Sequence, residues 1–301
     1  KSDTVKVINS LKQRIMDDIK KSILGILTLA TLMISCSQST EPTEIVVQNL
    51  QMKVPAGKQV FREFLLPGEI AETKIEHIAL TGPIEQVIQV PEGYVHMFLF
   101  VKGNGTLQVD TMTYDLVPES IAIPMNATDS IQMAVPEGEV LHFLQFTKVL
   151  TDQDQEDLKN FPAENKYDLF FTRFEDCEPY TEKIKSPNTV SRTVLPADIV
   201  PRVSLGTVEA MGPDEVGAHE HPMLDQLFLG LAGNDIIVHA DDASTELKEY
   251  ALLHIPIGSS HGVTVEKGKK MYYMWMDFFL TKEGQEWLKT HKPMSSDKED
   301  S

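Results

Sequence analysis

His219-Glu220-His221, with Asp225 and Gln226 close behind and Pro256-Ile257-Gly258-Ser259-Ser260-His261 further on, is the stretch that decides how this chain is read. On a strand, residues two apart share a face, so the His219 and His221 imidazoles can close on one ion. A turn after Pro256 would bring His261 back onto a neighbouring strand. Three imidazoles and an oxygen donor suit a divalent transition metal. Asp225 and Gln226 compete to supply that oxygen. As neighbours on one strand they point to opposite faces, and only one can face inward. His239 and His254 fall in the same window and read as supporting or surface residues.

Working outward, the window is a succession of short β-rich runs broken by Gly, Pro and Asn: Val200 to Met211, Asp225 to Leu231, Asp235 to Ala240, Glu246 to Ile255, Gly262 to Glu266 and Lys270 to Leu280. An earlier series has the same character: Glu44 to Gln48, Gln59 to Leu66, Gln86 to Val90, Val95 to Val101, Thr106 to Val109, Ser120 to Ile123, Ser130 to Val135 and Leu141 to Leu150. Evenly spaced short strands with turn residues between them predict an all-β sandwich or barrel, here twice over. Gly103-Asn104-Gly105 reads as a hairpin turn between the flanking runs. Gly230-Leu231-Ala232-Gly233-Asn234 answers Lys102-Gly103-Asn104-Gly105, and Leu253-His254-Ile255-Pro256 answers Ile121-Ala122-Ile123-Pro124. These offsets differ, which reads as a duplication without a fixed period. Between the series, Thr151 is an N-cap candidate ahead of acidic residues, so a short connecting helix is expected near Asp152. Thr281 to Leu288 reads as a closing C-terminal helix.

These spacings resemble the two motifs of the cupin superfamily, Gly-x5-His-x-His-x(3 to 4)-Glu-x6-Gly and Gly-x5-Pro-x-Gly-x2-His. His219, His221, Gln226 and Gly233 carry the first; Pro256, Gly258 and His261 carry the second, with Gly212 one position early and Tyr250 where the second motif has glycine. The resemblance implies a bicupin, two double-stranded β-helix (jelly-roll) barrels in one chain. It implies that His219, His221 and His261 are metal ligands, with Gln226 in the place of the usual glutamate and Asp225 as its rival. One divalent transition metal is implied, with Mn, Fe, Ni, Zn and Cu not distinguished. A glutamine coordinates through its amide oxygen and adds no charge, so Gln226→Glu is expected to preserve or tighten binding. In the first series, Gly93-Tyr94-Val95-His96-Met97-Phe98 has one histidine where the motif has two, and Pro124-Met125-Asn126-Ala127-Thr128-Asp129 has none. The first barrel therefore reads as degenerate and His96 as structural. The resemblance implies that such a silent barrel serves packing or a homodimer.

Upstream lies a different signal. Lys20-Lys21, the apolar run Ile23 to Ile34 and Ser35-Cys36 read as an export signal, the run falling short of the roughly 20 apolar residues a membrane span needs. Its end resembles the bacterial lipoprotein signal, so Cys36 is expected to carry lipid and to hold an exported protein at the periplasmic face or cell surface, its only membrane attachment. The expected organisation is an upstream extension over 1–15, a signal peptide over 16–35, a tether over 36–43, a degenerate barrel over 44–150, a connector over 151–199, a metal-competent barrel over 200–292 and a disordered tail over 293–301. With Cys36 lipidated, Cys177 has no disulfide partner, and Asp176 and Glu178 beside it are expected to raise its pKa. Acidic residues outnumber basic ones 45 to 27, giving a net charge of −18, and no basic stripe appears. That balance argues against nucleic acid as a partner.

The function that follows is a membrane-tethered metalloenzyme acting on a small oxygen-rich substrate. The resemblance implies dioxygenase, sugar or uronate isomerase, or aminohydrolase chemistry. The alternatives are a non-catalytic ligand-binding or sensing lipoprotein and a storage-like structural bicupin. Met271, Tyr273 and Trp275 share one strand face and Tyr272, Met274 and Met276 the other, so one set lines the barrel. Tyr273 and Trp275 are candidate substrate contacts. Arg202, near the start of the second barrel, is a candidate receiver of a substrate carboxylate, with an exposed ion pair as the competing reading.

Overall fold

Runs rich in Val, Ile, Leu and Phe become strands wherever alternate side chains can be buried on one sheet face. The computed structural model describes residues 44–125, 130–181 and 185–290; the signal segment, Cys36, the tether and the C-terminal tail lie outside them. The first series forms β1 (Val47–Asn49), β2 (Val60–Leu65), β3 (Thr73–Thr81), β4 (Ile84–Gln89), β5 (Tyr94–Lys102), β6 (Gly105–Val109), β7 (Met112–Leu116), β8 (Ser120–Pro124), β9 (Ser130–Val135) and β10 (Val140–Val149). Then come α1 (Asp152–Asn160), β11 (Leu169–Arg173), β12 (Pro179–Tyr180) and β13 (Val190–Leu195). The second series forms β14 (Val203–Met211), β15 (Asp214–His219), β16 (Leu224–Gly230), β17 (Asp235–Ala240), β18 (Ala243–Lys248), β19 (Ala251–Ile255), β20 (His261–Val265), β21 (Lys270–Phe279) and α2 (Lys282–Thr290).

The strands make two barrels of two sheets each. In the first, β11-β8-β5-β10-β3-β2 is completed by β4-β9-β6-β7; in the second, β1-β19-β16-β21-β14-β13-β12 is completed by β15-β20-β17-β18. Each barrel has its own core, around Phe98, Phe100 and Phe143 in the first and around Val208, Phe228 and Tyr273 in the second. A third core joins residues of both large sheets, with Met97, Leu99 and Phe146 from one and Leu205, Leu227 and Met274 from the other. Burying one such side chain stabilises the fold by about 1.5–3 kcal/mol, so the barrel interface is as much core as either interior.

The two halves repeat each other more regularly than the sequence suggests. Strands starting at 73, 84, 94 and 105 recur at 203, 214, 224 and 235, each 130 residues later, and β10 and α1 recur as β21 and α2 at the same offset. Between β7/β18 and β8/β19 the offset is 131, a one-residue insertion removed again before β21. The sequence anchors do not follow this register throughout: Pro256 answers Pro124 at an offset of 132, one residue beyond the structural 131. Thr151 caps α1 with a reciprocal box, its hydroxyl accepting from the Asp154 N–H while its own N–H donates to the Asp154 carboxylate. At the equivalent position, Thr281 accepts from the Gly284 N–H.

Several local expectations are corrected. Gly103-Asn104 is not a hairpin turn: β5 and β6 lie in different sheets, and the turn carries the chain from one to the other. Gly103 has φ +82° there, and a Cβ on it would lie 2.0 Å from the Val140 carbonyl oxygen. The run Glu246 to Ile255 is two strands, broken at Tyr250, which stands at φ +56°. β1 pairs with β19, so the first strand of the chain completes the second barrel's large sheet. The connector supplies β11 to β8 of the first barrel and β13 to β14 of the second.

Candidate metal centre

β15 ends at His219, directly opposite His261 at the start of β20. His221 lies just past the strand, in the chain leading to the turn before β16, so strand parity is not what aims it. The Pro256–Ser260 turn is closed by the Ser259 N–H donating to the Pro256 carbonyl and by the Ser260 N–H donating to Asp241, with Gly258 at φ +72°. The result is a group in which one ligand atom from each of His219, His221 and His261 lies within 4.8 Å of the others. The ring centroids are 4.5 to 5.4 Å apart.

The rings are oriented from behind. His219 Nδ1 donates to the Gly217 carbonyl at 2.8 Å and His261 Nδ1 to the Ser259 carbonyl at 3.2 Å, which directs Nε2 of each toward the cluster. His261 Nε2 and His221 Nδ1 are buried with no hydrogen-bond partner. Burial, with the other imidazoles of the cluster adding to it, lowers the His221 pKa to about 3; burial first and His219 second lower that of His261 to about 4. Both rings are therefore neutral at physiological pH, the form that ligates metal.

Gln226 and Asp225 separate as strand geometry requires. Gln226 shares its face of β16 with Phe228, a member of the second barrel's core, whereas Asp225 shares its face with Leu227 and Leu229 of the interface core. Gln226 Nε2 donates to Asp277 Oδ1 on β21 at 2.8 Å, and its Oε1 is buried without a partner. The Asp225 carboxylate lies 3.4 Å from His254 Nε2, and the other nitrogen of His254 lies 2.8 Å from Glu69 of the first barrel. His254 is thus a bridge between barrels. His239 is held between Ser244 and Thr264, also apart from the cluster. His221 Nδ1, His261 Nε2 and Gln226 Oε1 are buried without a protein partner, and three imidazoles with an amide oxygen are a donor set that fits a divalent ion.

Tyr273 is buried against Phe228, ring centroids 4.7 Å apart, and serves the core; Phe228 in turn lies 6.0 Å from His261. Trp275, half-buried, lies across Gly206 of β14, where a Cβ would come within 2.3 Å of the indole. Both belong to the inner face, as the alternation requires. Arg202 does not. Its guanidinium donates to both Asp154 oxygens at 2.8 and 2.7 Å, to Glu72, and to the Phe279 and Leu280 carbonyls. With its donors engaged at the junction of the repeats, Arg202 is not available to a substrate carboxylate.

In the first barrel the position 130 residues before Gln226 is His96, so this lone histidine corresponds to the fourth donor rather than to the histidine pair. His219 and His221 correspond to Gln89 and Pro91. His96 is buried 3.5 Å from Gln145, and burial lowers its pKa. Sequence reasoning missed a second histidine pair, His77 and His142, stacked at 5.3 Å and hydrogen-bonded, with His77 also 2.7 Å from Glu63. No local signal marks it, because the two residues meet only through the β3–β10 pairing. Cys177 has a raised pKa, from burial first and the Asp176 charge after it.

No family model and no curated protein sequence matches the chain. Solved structures share its fold. Protein Ylba from E. coli superimposes with a TM-score of 0.57 at 11% identity, over 77% of this chain and 90% of that one. A cupin 2 conserved barrel domain protein from Leptotrichia buccalis gives 0.55 at 13%, over 79% and 98%. The oxalate decarboxylase of Lactobacillus farciminis, in a formate complex, gives 0.55 at 11%, over 82% and 90%. Likeness at such identity speaks for fold alone, and with the sheet order it establishes the chain as an all-β protein of two cupin-type barrels, with a short connecting helix and a C-terminal helix.

Proposed function

We propose that the second barrel binds one divalent transition metal through His219, His221, His261 and Gln226, and that the protein is an exported, lipid-anchored enzyme acting on a small oxygen-rich molecule. The observation that carries the reading is the convergence of three imidazoles whose buried nitrogens include two without partners. Such an ion, when bound, polarises substrate oxygens or activates water or dioxygen. The chain supplies a neutral donor set, so the charge of the ion stays available to an anionic or enolisable substrate. Gly217 and Ser259 hold the rings in place, and Phe228 and Tyr273 close the barrel beneath them against water. His219 and His221 are only half-buried, so approach is from their side.

Metal analysis of protein purified without chelator tests the site: about one equivalent is expected in the wild type and a large loss in His219→Ala and His261→Ala. Equal content in all three would refute it. A metabolite screen with the loaded protein then seeks turnover. Burial of His261 and Gln226 favours a second reading, a ligand-binding or sensing lipoprotein without catalysis; it predicts saturable binding with no product. For the anchor, Cys36→Ser should move the protein from the membrane fraction to the soluble one, and retention in the membrane would end that claim.

A further inference from the structure

We propose that Asp277 is the positioning residue of this site: it fixes the Gln226 amide so that its oxygen faces the ion, and it places behind that neutral donor the negative charge that a glutamate ligand would have carried. The inference rests on the metal reading of the triad. It starts from what a carboxylate demands of its neighbour. Gln226 Nε2 donates to Asp277 Oδ1 at 2.8 Å, so the amide nitrogen is the atom that faces the carboxyl. The oxygen therefore points the other way, and there it is buried with no partner. Gln226 and Asp277 are directly opposite each other on β16 and β21, and each is only 6% exposed. A hydrogen bond to a charged group at a buried site holds a side-chain amide far more firmly than water would.

Comparison of the halves points the same way. The positions 130 residues earlier are His96 and Thr147, so the first barrel, which lacks the imidazole triad, also lacks the amide–carboxylate pair. On the other flank Asp277 is opposite Ser204, whose counterpart is Lys74. The carboxylate thus accompanies the histidines. One consequence reverses the expectation for Gln226→Glu drawn from the ligand alone. A glutamate at 226 would bring a second carboxylate to hydrogen-bond distance of Asp277, and like charges so placed repel.

The test is a thermodynamic cycle read by calorimetric titration of Zn²⁺ into metal-free full-length protein at fixed pH, with apo melting temperatures recorded alongside. Asp277→Asn should weaken Zn²⁺ binding by about 10 to 100-fold, the range for groups that orient a ligand. Gln226→Glu alone should also weaken it. The double variant, with the carboxylate moved from 277 to 226, should recover to within about threefold of wild type, a coupling that a merely structural role for Asp277 would not produce. Should Asp277→Asn not fold, Asp277→Ser takes its place. Gln226→Glu binding as tightly as wild type, or single effects that simply add, would overturn the assignment while leaving the triad standing. A wild type that binds Zn²⁺ no better than His219→Ala would overturn the triad as well.

Discussion

Arg202→Met removes the guanidinium that joins the two repeats and keeps only its aliphatic stem. Asp154, completely buried, would lose two hydrogen bonds of 2.8 and 2.7 Å, and Glu72 its nearest cation. Removing one partner of a buried pair typically costs about 3–5 kcal/mol. Asp154 keeps Lys148 at 3.5 Å and the Thr151 N–H at 3.0 Å, which sets the expectation at the lower end, about 3 kcal/mol, or a fall in Tm of about 6–12 °C. The pH dependence identifies the cause. Burial alone would raise the Asp154 pKa, but the hydrogen bonds from Arg202 and Thr151 and the charge of Lys148 bring it from 3.8 to about 2. A folded-state value below the unfolded one stabilises the protein fully above about pH 4, and that contribution is lost as pH falls through about 2. The deficit of Arg202→Met should therefore be largest near neutrality and shrink below about pH 3. Urea melts of both proteins across that range measure it. A deficit under about 1 kcal/mol at neutral pH, or one unchanged in acid, would refute the reasoning.

His142 is buried, and burial, then the His77 and Lys102 charges, lower its pKa to about 4. Between about pH 6.5 and 4 the unfolded chain takes up a proton that the fold refuses, so stability falls with pH by up to about 1.4 kcal/mol per unit; His142→Gln should flatten that slope in denaturant melts. Gly206→Ala would set a Cβ 2.3 Å from the Trp275 ring and 2.6 Å from the Arg192 carbonyl oxygen, and should cost about 1–3 kcal/mol with an altered near-ultraviolet tryptophan signal. His96→Ala should leave metal content at the wild-type level, because His96 has no second imidazole across from it; loss of bound metal on elemental analysis would count against a single site in the second barrel.

The histidine cluster was legible in the sequence because its members are set by short-range geometry. His219 and His221 are two residues apart at a strand end, and His261 follows a turn whose glycine and proline are visible. The motif glycine replaced by Tyr250 also acquires a reason: the position has φ +56°, a conformation glycine adopts freely and tyrosine adopts at a cost. What the sequence hid depends on register between distant strands. Gln226 and Asp277 are 51 residues apart, His77 and His142 65, and Arg202 and Asp154 48. No local period reports such pairs. β3 and β15 were missed for a different reason: Lys74, Glu76 and His77 interrupt the apolar run in one, and Asp214, Glu215 and Gly217 do so in the other. β3 becomes a strand because packing buries both of its faces from Ile75 to Leu80, whereas β15 is an exposed edge strand held by its ladder to β20 and anchored by Val216.

The 130-residue register shows where the halves diverged and why the fold tolerated it. In the first barrel the row Phe98–Gln145–Glu76 runs across β5, β10 and β3; in the second, the matching row is Phe228–Trp275–Gly206. The next row is His96–Thr147–Lys74 in one and Gln226–Asp277–Ser204 in the other. Beneath both rows lies an apolar plug, Phe100 and Phe143 in the first barrel and Tyr273 with Met271 in the second, which binds the two sheets of each barrel regardless of what stands above it. The apolar core and the buried polar residues thus occupy different layers of the same strands. A duplicated barrel can exchange its upper polar residues without unfolding, provided that each buried polar atom finds a partner. The first barrel meets this condition incompletely, since His96 Nε2 and Gln145 Oε1 are buried and unpaired. In the second, Arg192 Nε and Thr207 Oγ1 are also buried and unpaired, but the remaining unpaired atoms among the described residues are those of His221, His261 and Gln226, which a bound cation would satisfy.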